Sequence, residues 1–323
     1  MRRLWQAVML SGALALMAFA HANAETYPSR QITIVIGYTP GAVSDLAART
    51  IAEGLRQEWG HPVVVDNRSG SGGNIGAAYV ARAVPDGYTL MIGTDAQMAS
   101  NVHLYKQIGF DPLKDFVPVA YAGANIICLA VNAELPIKTV ADLIAYAKAN
   151  PGKLSYGSSG VGSPHHLAGE LLHQKAGIDI VHVPYKGGGA AVNDVLGGHI
   201  SMAFLSLSAA APQVASGRLR IIAMVEKTRY AAMPDIPTIG ETVPGFEMSS
   251  WIGVFAPAGT PRDIVTKLNG SVARILNVPD IKERLATLGL VAVGGKPEEL
   301  AEVVKNGIKV RGELIRAAGI QPE

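Results

Sequence analysis

The sequence predicts an α/β protein of two lobes, each built on a mainly parallel sheet flanked by helices. Three observations carry that prediction. Short apolar runs alternate with helix-period segments almost throughout residues 25–323, the pattern of parallel strands buried on both faces beneath covering helices. Four strand-to-helix junctions are rich in Gly and Ser, at 38–45, 69–76, 157–164 and 185–190, two in the first third and two in the middle. Two longer strands, over 128–131 and 220–225, bracket the middle block and read as crossings between lobes. The first lobe is then discontinuous, residues 25–125 with 226–323, and the second spans 126–225.

Taken in order, Ile-Thr-Ile-Val-Ile at 32–36 is a strand and 46–59 the helix that follows it. Three valines at 63–65 lead through a glycine loop to a helix over 77–83, and a third strand over 88–93 ends in Gly93-Thr94. A helix over 139–150 is stopped by Pro151-Gly152. A strand over 154–156 precedes a helix over 164–176, with Pro164 near its first position. Strands over 180–183 and 200–205 flank a helix at 190–196. Residues 233–238 form a proline-punctuated loop, 251–255 a buried strand, and 256–261 a turn. Helices over 262–276, 279–288 and 297–316 complete the chain.

The N-terminus assigns the compartment. Arg2 and Arg3 precede an apolar run over 7–20, and Ala22-Asn23-Ala24 is a small-residue cleavage site. That is a secretory signal peptide over 1–24, processed after Ala24, and its apolar run is shorter than the ~20 residues a membrane span needs. No cysteine stands directly after the cleavage site to carry a lipid. The expected location is the bacterial periplasm. Removing these 24 of 323 residues leaves 299 and takes away two arginines, so formal net charge falls from +2 to 0. A neutral chain has no electrostatic footprint for nucleic acid or an anionic membrane. Cys128, the one cysteine, lies in an apolar strand and reads as small core filler.

Each glycine junction is expected to leave N–H groups unpaired at a helix start, where the macrodipole favours negative charge. Such turns are anion sites, and their distribution over two halves predicts an anionic ligand between the lobes. Other chemistries fit less well. Gly70, Gly72 and Gly76 are spaced G-x-G-x-x-x-G, not as a dinucleotide fingerprint, and Gly295-Lys296-Pro297 is no P-loop. Ser158, Ser159 and Ser163 lie near His165 and His166, but no nucleophile-elbow motif or acid partner accompanies them. His166, Glu170 and His173 fall on one helix face at i, i+4 and i+7. The metal-protease motif is missing, and that face reads better as solvated, so no metal or other cofactor is expected. Lys186 pairs with a ligand carboxylate or is a surface or hinge lysine, the second being favoured. Tyr38 and Tyr185 each end a strand and either line a cleft or pack as edge residues.

The stretches 27–30 (Tyr-Pro-Ser-Arg), 66–76, 85–90, 110–116, 156–160 and 182–187 together resemble one family. It is the Bug family, the extracytoplasmic solute receptors of tripartite tricarboxylate transporters, and the likeness runs in unbroken order along the mature chain. The resemblance implies a two-lobed periplasmic binding protein of the second topological type, non-catalytic, closing on a small carboxylate. It implies a grip on one carboxylate through backbone amides and ordered water at Thr39, Pro40, Gly41 and Ala42. Ser158, Ser159 and their neighbours contribute from the second lobe. The residues expected at the ligand are Tyr38, Asn74 and Thr94 beside that turn, and Ser158, Ser159, Gly160, Ser163, His166, Tyr185 and Leu205 opposite. The expected partners are the carboxylate and the permease subunits of a tripartite transporter, with the receptor itself a monomer. Two departures stand out. Gly41-Ala42 replaces paired glycines, and Leu205 stands where amino-acid-binding members place an aspartate. A ligand ammonium would meet an apolar side chain there, so the expected ligand is an aliphatic or aromatic mono- or dicarboxylate without an amine. An α/β enzyme acting on a carboxylate in the same cleft is the alternative.

Overall fold

In the computed structural model, which describes residues 27–185 and 187–322, the first sheet grows outward from its most apolar strand. The signal-peptide segment and Lys186 lie outside the described residues. β1 (Ile32–Ile36) runs parallel to both β2 (Val63–Asn67) and β3 (Thr89–Thr94). The crossovers carry α1 (Val43–Trp59) and α2 (Asn74–Ala81). Ile32, Ile34 and Ile36 face α1 residues Ala47, Ala48, Ile51 and Leu55, while Val35 points into a separate core with Met91 and Met98. Alternate residues are therefore buried on both faces, as the apolar run requires.

A helical stretch, Ala96–Ser100 continued by α3 (Asn101–Leu104), leads to β4 (Phe116–Asn125). Only Ile126 separates β4 from β5 (Ile127–Asn132), the first strand of the second sheet. That sheet adds α4 (Val140–Ala149), β6 (Leu154–Ser158), α5 (Pro164–Ala176), β7 (Ile180–Pro184), α6 (Gly188–Leu196), β8 (Met202–Ser206), α7 (Leu207–Ala215) and β9 (Leu219–Met224). Its strand order is β7-β6-β8-β5-β9. The chain then returns to the first sheet through β10 (Ser250–Pro257), α8 (Arg262–Leu276), α9 (Pro279–Thr287), β11 (Leu290–Gly295) and α10 (Pro297–Ala317), giving the order β11-β4-β10-β3-β1-β2.

Two α/β sheets flanked by helices match the predicted class, with one difference in detail. Strand directions are mixed: β10 is antiparallel to β3 and β4, β11 to β4, and β5 to β8 and β9. The runs 128–131 and 220–225 are not themselves crossings. They lie in β5 and β9, paired antiparallel with Cys128 opposite Met224 inside the second sheet. The passages between sheets are Ile126 and the stretch after Val225, where Val225 N–H donates to Ile127 O at 2.9 Å. β4, β11, α7 and the helical stretch at 96–104 were absent from the sequence-based element order. Helix α10 joins the two halves: Leu300 and Val304 pack in the first lobe's core, and Ile315 in the second's. Among the described residues no helix is long and apolar enough to cross a membrane.

Candidate functional site

Residues that end or follow β1, β3, β4, β6 and β8 wall a cavity of about 340 Å³ between the sheets, near the lower end of the range for small-ligand sites. The first-sheet wall begins with Tyr38, Thr39, Gly41 and Ala42. The first backbone bond of α1 is Leu46 N–H to Ala42 O, so the amides of Val43, Ser44 and Asp45 precede the ladder, and no side chain caps them. Asp45 braces the turn from below, accepting from Gly41 N–H at 3.1 Å, Arg49 Nε at 2.9 Å and Asn67 Nδ2 at 3.0 Å. Burial works to raise its carboxyl, but these donors outweigh burial and hold it low.

The Ser71–Gly73 turn is locked to the end of β3 by buried amides. Gln97, fully buried, donates to Gly73 O at 2.9 Å and accepts from Thr94 N–H at 3.2 Å. Asn101 donates to Gly72 O at 3.1 Å and to Asn74 Oδ1 at 2.6 Å. The Tyr38 hydroxyl lies 3.1 Å from Thr94 Oγ1 and 3.2 Å from Gly72 O, and burial pushes its phenol up.

Opposite, Ser159 Oγ is 2.7 Å from His165 Nδ1, and His165 Nε2 is 3.4 Å from Ser206 Oγ. Burial lowers His165 to about 4, so the imidazole is neutral at neutral pH. Among the described residues no carboxylate is hydrogen-bonded to it, so the Ser159–His165 contact lacks there the third member of a hydrolytic triad. Helices α6 and α7 have Gly187 and Ser206 as N-caps without side-chain bonds. The first α7 amide, Leu207 N–H, donates to Ile126 O at 2.9 Å, and Gly188, Gly189, Ser208 and Ala209 line the cavity. Helix α5 differs from the expectation for its turn. Ser163 Oγ accepts the His166 N–H at 3.2 Å, and Pro164 has no N–H, so most of that helix start is closed to an anion.

Among the described lining residues there is no lysine or arginine, and the one carboxylate is Asp95. Burial pushes the Asp95 carboxyl up; Arg311 Nη2 at 3.0 Å and Ser250 Oγ at 3.1 Å oppose that. Negative charge in this cavity would thus be met by helix-start amides and hydroxyls.

Of the residues expected at the ligand, Tyr38, Thr39, Gly41, Ala42, Thr94, Ser159 and Ser163 come together in the cavity wall. Pro40, Asn74, Ser158, Gly160, His166, Tyr185 and Leu205 are not among its lining residues. Ser158 is fully buried, 2.7 Å from His182 Nε2. His166 stacks on His182 and accepts from Gly162 N–H at 2.9 Å through Nδ1. Tyr185 turns aside to Asp194, donating at 2.5 Å. Leu205 is fully buried in the core beneath Gly188, opposite Cys128. No metal-holding cluster occurs among the described residues, and the 3.7 Å contact of His166 with Glu170 joins a side-chain network that includes Tyr156. Sequence reasoning missed Asn101, Tyr105, Asn125, His165, Ser206, Ser208 and Ser250, which also line the cavity. The junction from β8 into α7 repeats the strand–turn–helix form with serines in place of glycines, and that pattern could have revealed Ser206 and Ser208.

Two sheets joined at a double crossing, with amides and hydroxyls of both facing one cavity, define a two-lobed binding protein. The model of the tripartite tricarboxylate transporter family receptors matches residues 47–320. BugT of Bordetella pertussis is 34% identical over 302 residues, 93% of each chain. A protein of R. palustris solved with adipate is 39% identical and covers 92% of this chain and 100% of its own, with a TM-score of 0.86. MatC from Rhodopseudomonas palustris, solved with bound malate, is 30% identical and covers 90% of this chain and 100% of its own, with a TM-score of 0.80. The chain belongs to this family of periplasmic solute-binding receptors, the Bug proteins among them.

Proposed function

We propose that the protein captures a small mono- or dicarboxylate lacking an amine and delivers it to the membrane subunits of a tripartite transporter. The observation that carries this reading is the makeup of the cavity wall. Uncapped starts of α1, α6 and α7 face it, no described lysine or arginine does, and its one carboxylate is engaged by Arg311 and Ser250. An anion is stabilised by such amides without a buried cation, whereas an ammonium would find no free counter-ion. Adipate and malate in related receptors support the same ligand class.

In this reading the lobes are residues 25–125 with 226–323 and residues 126–225, the signal peptide is removed after Ala24, and the receptor works as a monomer. The ligand meets the Thr39–Ala42 turn first, and bending at Ile126 and after Val225 brings Ser159 and the α6 and α7 starts onto it. Closure is stabilised only by the ligand's greater affinity for the closed form. Calorimetric titration with adipate, malate and citrate, each beside an amine-bearing counterpart, tests the reading. Saturable one-to-one binding of an amine-free acid, at least tenfold tighter than its amino analogue, is expected. Tighter binding of the amino acid, or chemical conversion of a bound acid, would overturn it.

A further inference from the structure

Asp95 directly follows Thr94 at the end of β3, lines the cavity and is only 1% exposed. Arg311 reaches it from α10, more than two hundred residues later, and is itself 5% exposed and outside the cavity wall. Its guanidinium also donates to the Ser249 carbonyl. Among the described residues the other titratable groups facing Asp95 are the phenols of Tyr38 on the β1 side and Tyr121 on β4, both pushed up by burial and uncharged. A buried ion pair is weak support for stability, since apolar replacement is often neutral or better. Its consequence here is electrostatic. An unpaired carboxylate in this wall would repel the very anion the cavity receives, and low-dielectric surroundings would strengthen that repulsion.

We propose that Arg311 is a positioning residue that sets the charge class of the ligand, cancelling Asp95 so that a carboxylate can enter while touching no ligand itself. The pair also orders the crossing between lobes. Ionised Asp95 can only accept, so the Ser250 hydroxyl proton goes to it and Ser250 Oγ accepts from Asn125 Nδ2 at 3.3 Å. The same amide reaches Ser206 Oγ of the second sheet at 3.3 Å.

This inference rests on the carboxylate reading above, and one series of titrations separates the two. Adipate, malate and citrate are titrated into the wild type, R311M and D95N/R311M. R311M is expected to bind the best of these acids at least tenfold more weakly, and D95N/R311M to recover to within threefold of wild type. A merely structural pair would also be rescued, since losing both partners leaves no uncompensated buried charge, so D95N is titrated alongside. A structural role predicts binding no tighter than wild type, whereas an uncancelled Arg311 tightens the acid at least threefold. A folded R311M with wild-type affinity, or a double variant as weak as R311M, overturns the inference alone. Failure of the wild type to bind any of the three acids overturns both readings. Should R311M not fold, D95N decides: its uncancelled Arg311 should tighten the acid at least threefold, and equal or weaker binding refutes the role.

Discussion

Replacing Gly73 by alanine should unlock the first-lobe side of the cavity, and the structure sets the size of the effect. Gly73 has φ +94°, and an added Cβ would lie 2.7 Å from Gln97 Nε2 and 2.8 Å from its Cδ and Cγ. The left-handed backbone costs a non-glycine residue roughly 1–2 kcal/mol. Displacing the buried Gln97 amide leaves Gly73 C=O and Thr94 N–H without their partner, roughly 1–3 kcal/mol each. The total is about 3–8 kcal/mol. With an unfolding entropy of ~2.1 cal/mol/K per residue, the 299 residues left after the proposed cleavage lose about 5–13 °C in Tm. Gly41 is the control: its φ is +88°, but an added Cβ meets nothing within 4 Å. Gly41→Ala should therefore cost only the backbone strain, about 2–3 °C. Differential scanning calorimetry of both variants decides between them. Equal shifts would refute the argument that the Gln97 wedge, not backbone conformation, makes glycine necessary at position 73.

Three further outcomes are expected. Ser159→Ala should weaken carboxylate binding roughly tenfold, the scale of one hydrogen bond to a charged group, and lower Tm by about 2–5 °C because His165 Nδ1 loses its partner; calorimetric affinity equal to wild type would remove Ser159 from the site. Burial pushes the Cys128 thiol far up, so a disulfide reagent at pH 8 should label it only after unfolding, and labelling of native protein at a free-thiol rate would contradict the buried strand. Burial also pushes the Glu226 carboxyl up to about 7. Native protein then holds more protons than unfolded chain between pH 4.5 and 7, so stability is lost as pH rises through that window. Glu226→Gln should recover at most about 3 kcal/mol at pH 8 and nothing at pH 4.5; a melting curve unchanged at pH 8 would exclude the effect.

What could be read in the sequence were features encoded locally. The bounds of α5 follow from Ser163, Pro164 and Gly177, a cap, a first-turn proline and a left-handed stop within fourteen residues or so of one another. β4 escaped because Pro118, Gly123 and several alanines blur its apolar pattern, and its place is fixed by β10 and β11 on either side. The strands β5 and β9 looked like crossings because they are longer runs that bracket the middle block, but a mostly apolar run marks central burial and says nothing of chain direction. Of the cavity wall, Thr39, Gly41, Ala42 and Ser159 were legible from Gly/Ser punctuation. Asn125 and Ser250 were not, because each acquires its role from partners distant in the chain. Ser158 at the end of β6 and Leu205 within β8 are buried away from the cavity beside the lining residues Ser159 and Ser206, and in β8 the alternation of side chains along a strand accounts for it.

The most direct test of the account is the chemical identity of the solute the receptor holds. Mass spectrometry of the small molecule released from protein purified natively from periplasm should show a carboxylic acid without an amine. An amino acid, a phosphorylated metabolite or a neutral sugar in stoichiometric amount would contradict it.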